Sequence, residues 1–251
     1  MSTTEARHLG VTNGHAAEFD RWQSSTRVVL QPVAAPSVLG LFGFAGATFM
    51  VAANLAGWYG TPMSGVYLFP FAAMFGGLAQ FAAGLWAYRA RDALATAMHG
   101  MWGAFWLAYG LMWLLVATHD VTLPAGKFPA LAFWFFPLAA ITASGAVASV
   151  GQNLGVTATL STLAVGAGLL GVGYLVGGPL GADGWLHTGG WVLIASSICA
   201  FYSASAMMWK ASFGRVVLPL GEPKADANIP GREFTHPIEY HFGEPGVKQG
   251  Q

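Results

Sequence analysis

Charge is what this chain has least of. Only 9% of its 251 residues are Asp, Glu, Lys or Arg, where an ordinary soluble domain has roughly 25%. Hydrophobic residues make up 55% and aromatic residues 14%. Between Pro36 and Trp209 there are six charged side chains, Arg89, Arg91, Asp92, Asp120, Lys127 and Asp183, and all six fall between long apolar runs. A helix that crosses a bilayer needs roughly 20 apolar residues, and a charge at its centre costs on the order of 3 kcal/mol even on the lenient insertion scale. The runs therefore read as membrane spans and the charges as markers of their ends.

Other absences exclude other classes. Formal net charge is zero and neither tail has a Lys/Arg cluster, so nothing here would neutralise phosphates and nucleic acid is not an expected partner. A single cysteine, Cys199, excludes an intrachain disulfide and a Cys-rich metal site, and reads as a small packing residue. The stretch from Met1 to Gln31 has no apolar core of the kind a cleaved signal peptide needs. No predicted span contains Asp, Glu, Lys or Arg. That excludes a Schiff-base lysine within the membrane and argues against a carboxylate relay or a carboxylate-ligated cation.

Six helices are predicted, at about Val38 to Gly57, Val66 to Tyr88, Ala93 to Thr118, Phe128 to Val150, Leu154 to Val176 and Trp185 to Trp209. Between them lie turn formers that do not propagate a helix: Tyr-Gly-Thr-Pro at 59–62, Gly151-Gln152-Asn153, and Gly-Gly-Pro-Leu-Gly from Gly177 to Gly181. Helices joined this tightly are antiparallel neighbours. The expected fold is an all-α membrane protein with six transmembrane helices per protomer. Residues 1–35 form a polar tail, 36–209 the membrane domain and 210–251 a second tail. Of the eleven Lys and Arg residues, ten lie on one side of this arrangement and Lys127 alone on the other, which places both termini in the cytoplasm and the protein in the cytoplasmic (inner) cell membrane. Trp58, Trp185 and Trp209 fall near span ends, as interfacial aromatics do.

Within the spans a solute meets only dipoles, hydroxyls and aromatic edges. Asn54, Gln80 and His99 are the polar candidates for a pathway. Isolated hydroxyls such as Thr48, Thr142 and Ser196 read first as back-bonded to a helix or as interhelical contacts. His99 lies about six residues into the third span from one side and His187 about two residues into the sixth from the other. At roughly 1.5 Å per residue they are at opposite depths and cannot share a haem iron. No cofactor and no metal is expected, and a membrane enzyme is disfavoured. Glycine is dense, at 34 residues, which reads chiefly as close helix packing, and Pro137 interrupts the fourth span.

Four segments in order carry a resemblance. Pro36-Ser37-Val38-Leu39-Gly40-Leu41-Phe42-Gly43-Phe44 looks like an Asn-Pro-x-Pro-Leu-Gly-Leu signature at the head of span one, with Pro36, Leu39, Gly40, Leu41 and Gly43 as its matching or adjoining residues. Phe75 to Tyr88 is similar to a Gly-Gly-x-Ala-Gln-x-x-Ala-Gly segment, Trp102-Gly103-Ala104-Phe105-Trp106 follows at the expected spacing, and Phe213 to Gly221 comes just after span six. Together they cover about three quarters of the chain and resemble the acetate uptake transporter family. That family includes the bacterial succinate-acetate permeases and the fungal ammonia/acetate-linked transporters.

The resemblance implies a homohexamer with one path through each protomer. It also implies a substrate of the acetate class, including small mono- and dicarboxylates such as succinate, with protons as candidate co-substrate. The path would narrow at a hydrophobic constriction, carried over here to Phe44, Trp102, Leu163 and, across a loop gap, Ala200. The first three lie about six to nine residues from the cytoplasmic ends of spans one, three and five, roughly 9 to 14 Å deep, so they can form one ring. Such a ring resists wetting and passes only small solutes. The chain departs from the family where Ala35 and Val38 replace the signature's Asn and second Pro, Trp102 replaces Tyr and Ala87 replaces Glu. The bulkier Trp implies a tighter and drier passage with a narrower substrate range. The alternative reading is a membrane sensor or signalling protein for acetate or ammonium that transports nothing.

Overall fold

The computed structural model describes residues 34–124, 126–177 and 184–223. The expected polar tails before residue 34 and after 223, and most of the Gly177 to Gly181 turn with Asp183, lie outside the described residues. The described residues are helical and contain no strand, and six helices or helix series are long and apolar enough to cross a membrane. The protein is thus a multi-pass membrane protein.

Helix α1 (Pro36–Leu55) begins with Pro36 at its first turn, where the missing N–H costs nothing. The second span is a composite. A 3-10 turn (Pro62–Ser64) is closed by a reciprocal capping box between Thr61 and Ser64, and leads into α2 (Gly65–Phe71), a π-helical stretch (Ala72–Ala79) and α3 (Gln80–Ala90). Pro70 sits inside α2, two residues before the widening. Its ring crowds the carbonyl four residues back and its nitrogen cannot donate, which is one physical cause for a helix to widen there. The span therefore starts at Pro62 and not near Val66, because Pro62 opens the helix series where it was expected to end a turn.

The short link to the third span uses its charges as caps. Arg91 takes a left-handed conformation at φ 58° and ends α3. Asp92 starts α4 (Ala93–Ala117) by accepting the Ala95 N–H at 2.9 Å, a cap worth about 1 kcal/mol. Helix α5 (Pro129–Ser149) contains Pro137. Asn153 caps α6 (Leu154–Val176) through the Val156 N–H at 2.8 Å. Helix α7 (Gly184–Phe213) runs four residues past Trp209. The chain then folds back: the carbonyls of Leu220 and Gly221 accept the Gly155 and Leu154 N–H groups, Tyr202 Oη donates to the Pro219 carbonyl, and Leu220 is buried. The first orphan donors of α6 are satisfied by this strap.

Close approach is built from rings seated on glycines. A Cβ on Gly40 would stand 2.5 Å from the His99 ring and one on Gly76 2.5 Å from Trp106, and one on Gly65 would meet the Trp113 ring. His99, Trp106 and Trp113 are spaced by seven residues, so one face of α4 presents three rings to glycines of the first two spans. On the other side of the molecule α5 packs on α6, α6 on α7, and α7 on α1. Trp58, Trp185 and Trp209 are all partly exposed near span ends.

Candidate functional site

Between these two halves α1, α4 and α6 surround a cavity of about 600 Å³. Its mouth lies on the side opposite Arg89 and Arg91, among Asn54, Tyr59, Thr61, Leu123, Phe128 and His187. Asn54 holds this rim together, donating from Nδ2 to the carbonyls of Tyr59 at 2.8 Å and Thr61 at 3.3 Å. Tyr59 Oη donates to the Met50 carbonyl, and burial pushes its phenol above the usual range, so it stays neutral. The walls are aromatic: Phe105, Trp106, Tyr109 and Trp113 from α4, Phe135 from α5 and Tyr174 from α6. Phe105 is the hub of that wall, meeting Trp102, Trp106 and Phe135 edge-on at 5.2, 5.2 and 5.5 Å.

The cavity ends on Trp102 and Leu163. Phe44 does not line it, but packs edge-on against Trp102 with centroids 6.1 Å apart, and is 2% exposed. Phe44, Trp102 and Leu163 are all buried members of the hydrophobic cluster that runs through the helix bundle. Ala200 is fully buried in the same cluster without lining the cavity. The indole of Trp102 is fixed from α5: its Nε1 donates to Thr142 Oγ1 at 3.0 Å, and that hydroxyl donates to the Leu138 carbonyl at 2.7 Å.

Polar atoms without a protein partner flank this closed layer. Thr48 Oγ1 and Trp106 Nε1, from residues that line the cavity, are buried and unpaired. Beyond the layer, His99 Nδ1 and Gln80 Oε1 are also buried and unpaired. His99 stands one turn before Trp102 on α4, and Gln80 opens α3 directly after the π stretch. A buried polar group left unpaired costs about 1 to 3 kcal/mol, so water or a solute is the natural partner of each. Most other hydroxyls in the spans are occupied, as Thr159 is with the Gly155 carbonyl and Ser203 with that of Cys199. Of the signature residues, Gly40 seats His99, Gly43 lies against the Phe75 carbonyl, Leu41 is buried, and Leu39 faces outward. His187 is at the rim and His99 beyond the closed end, with no cluster of metal-ligating side chains among the described residues.

Thr142 makes both contacts expected of an isolated hydroxyl, a back-bond to its own helix and a bond to another helix, whereas Thr48, given the same reading, is unpaired, and the depth of the aromatic wall was not anticipated. The wall had a signal: rings at 102, 105, 106, 109 and 113 recur at helical spacing on one helix. Which residue Thr142 would meet had no such signal, because its partner Trp102 is 40 residues away.

A six-span protomer with a blind, aromatic, uncharged vestibule has the form of a membrane pathway protein for small solutes. The family profile described as GPR1/FUN34/yaaH matches residues 22–221, and the chain belongs to that family. It is 28% identical over 193 residues to the succinate-acetate/proton symporter SatP of Escherichia coli strain K12, which covers 76% of this chain and 96% of the relative. The same identity and coverage hold for the symporter of that name from Shigella flexneri. Among solved structures, that of the bacterial acetate channel SatP superimposes with a TM-score of 0.67 at 25% identity, covering 76% of this chain and all of that one.

Proposed function

We propose that the protein moves acetate and related small carboxylates, succinate included, across the cytoplasmic membrane, with both tails in the cytoplasm. Each protomer, within a homohexamer, carries its own path. The solute enters the vestibule at the Asn54 rim, meets Thr48 Oγ1 and Trp106 Nε1, crosses the layer of Phe44, Trp102, Leu163 and Ala200, and leaves past His99 and Gln80. The observation that carries this reading is the vestibule's ending on Trp102 and Leu163, the residues expected to form the constriction. The symporter and channel relatives supply the substrate class and the proton.

The closed layer is dry and has no charge to replace a carboxylate's hydration. Bringing a bare anion into such a medium is far costlier than bringing a neutral acid. The solute therefore crosses as the undissociated acid, so that the proton travels with it and no protein group needs to carry it. Tracer uptake of labelled acetate into vesicles holding the purified protein tests the reading. Saturable uptake above that of empty vesicles is expected, and a sensor that transports nothing would give none.

A further inference from the structure

We propose that Thr142 on α5 is the positioning residue that holds Trp102 in its closed orientation, so that selectivity at the constriction depends on a helix outside the ring itself. This rests on the pathway reading above. An indole has one donor and no acceptor, while a threonine hydroxyl has one hydrogen and two lone pairs. Thr142 commits its hydrogen to the Leu138 carbonyl at 2.7 Å, which turns its lone pairs toward α4, and Trp102 Nε1 donates to one of them at 3.0 Å. Both side chains are buried, at 3% and 0% exposure, so no water competes for either group.

Ring packing alone does not fix the indole in this way. Phe44 and Phe105 meet Trp102 edge-on, at interplanar angles of 72° and 67°, and edge contacts tolerate a range of ring tilts. The hydrogen bond selects one tilt, because rotating the indole away leaves both the N–H and the hydroxyl lone pair unpaired in an apolar region. Trp106, one turn further along α4, supplies the contrast: its Nε1 has no protein partner. Of these two neighbouring indoles, the one at the closed end is tethered and the one in the vestibule is not. The latch also joins two helices that otherwise pack mainly on other neighbours, α4 on the second span and α5 on α6. An opening that separated α4 from α5 would release the ring.

The test is a double-mutant cycle in vesicles, reading the ratio of succinate to acetate uptake. Thr142→Val keeps the volume and removes the acceptor, and should raise that ratio roughly five- to tenfold. Thr142→Ser keeps the hydroxyl and should restore the wild-type ratio. In a Trp102→Phe background, which has no indole N–H, Thr142→Val should change nothing further. Thr142→Cys, with a much weaker acceptor, carries the same comparison if the valine form does not fold. An equal change in both backgrounds would make Thr142 a packing residue and overturn the proposal.

A second measurement does not depend on transport. The Trp102 indole proton, identified by its loss from the nitrogen-15 spectrum of Trp102→Phe in micelles, should exchange slowly in wild type and Thr142→Ser and quickly in Thr142→Val. Equal exchange in wild type and Thr142→Val would also overturn the latch. Absence of acetate flux with that difference in exchange intact would instead overturn the pathway reading alone.

Discussion

Phe44 on α1 meets Trp102 on α4 edge-on, with ring centroids 6.1 Å apart and planes at 72°. The two helices run in the same direction, and this contact has His99 seated on Gly40 on one side of it and Trp106 against Gly76 on the other. A T-shaped pair is worth about 0.5 to 1.5 kcal/mol beyond its area, enough to keep two rings together yet small enough to be broken in a conducting cycle.

Removing the larger ring should relax selection by size. Trp102→Ala is expected to raise succinate uptake relative to acetate on the order of tenfold, a change of about 1.4 kcal/mol in the barrier difference. Trp102→Phe should do less. Unchanged selectivity in dual-label uptake would remove Trp102 from the constriction.

Two glycines in α1 should respond differently to the same methyl group. A Cβ on Gly40 meets a side chain, the His99 ring at 2.5 Å, whereas one on Gly43 meets backbone, the Phe75 carbonyl oxygen. Each alanine substitution should destabilise the detergent-solubilised protein by about 1 to 3 kcal/mol. Adding His99→Ala should recover much of the loss for Gly40→Ala and none for Gly43→Ala. Thermal unfolding of the four variants checks this.

Thr48→Val removes an unpaired buried hydroxyl from the vestibule wall. Stability should hold or rise slightly, since an orphan polar group disappears. If a solute is that hydroxyl's partner, the KM for acetate should rise roughly three- to tenfold, the loss of a hydrogen bond of about 1 kcal/mol, with little change in maximal rate. Initial rates over a concentration series separate the two parameters.

Passage of the neutral acid has a pH signature. Uptake at fixed total solute should fall about tenfold per pH unit above the acid's own pKa, and across acetate, chloroacetate and propionate it should follow the undissociated fraction. His99→Phe should keep that dependence. Its loss in His99→Phe would make the imidazole the proton carrier.

The six spans were legible because the bilayer penalises charge so strongly that Arg89, Arg91, Asp92, Asp120 and Lys127 could only stand at span ends. Asp92 and Asn153 were legible as breaks, though their work as caps appears only in three dimensions. Close packing was expected from the glycines, but which ring each one seats depends on helix rotation, which residue counts do not fix. The π stretch after Pro70 was not legible. Proline at that place is equally compatible with a kink, and the choice is made by neighbours on α1 and α4. The bond from Trp102 to Thr142 was hidden for the same reason, since both residues had adequate local readings of their own.

The π-helical stretch has one further consequence. Each residue of an α-helix turns the chain by about 100°, and a π turn takes up residues without advancing that rotation at the usual rate. Ala72–Ala79 therefore works as a phase shifter in the second span, letting Gly65 face Trp113 at one end while Gly84 faces Gly100 at the other. Wound as regular α-helix with all its residues kept, the span would still be continuous, apolar and of adequate length, yet one half would point its glycines away from the rings they seat.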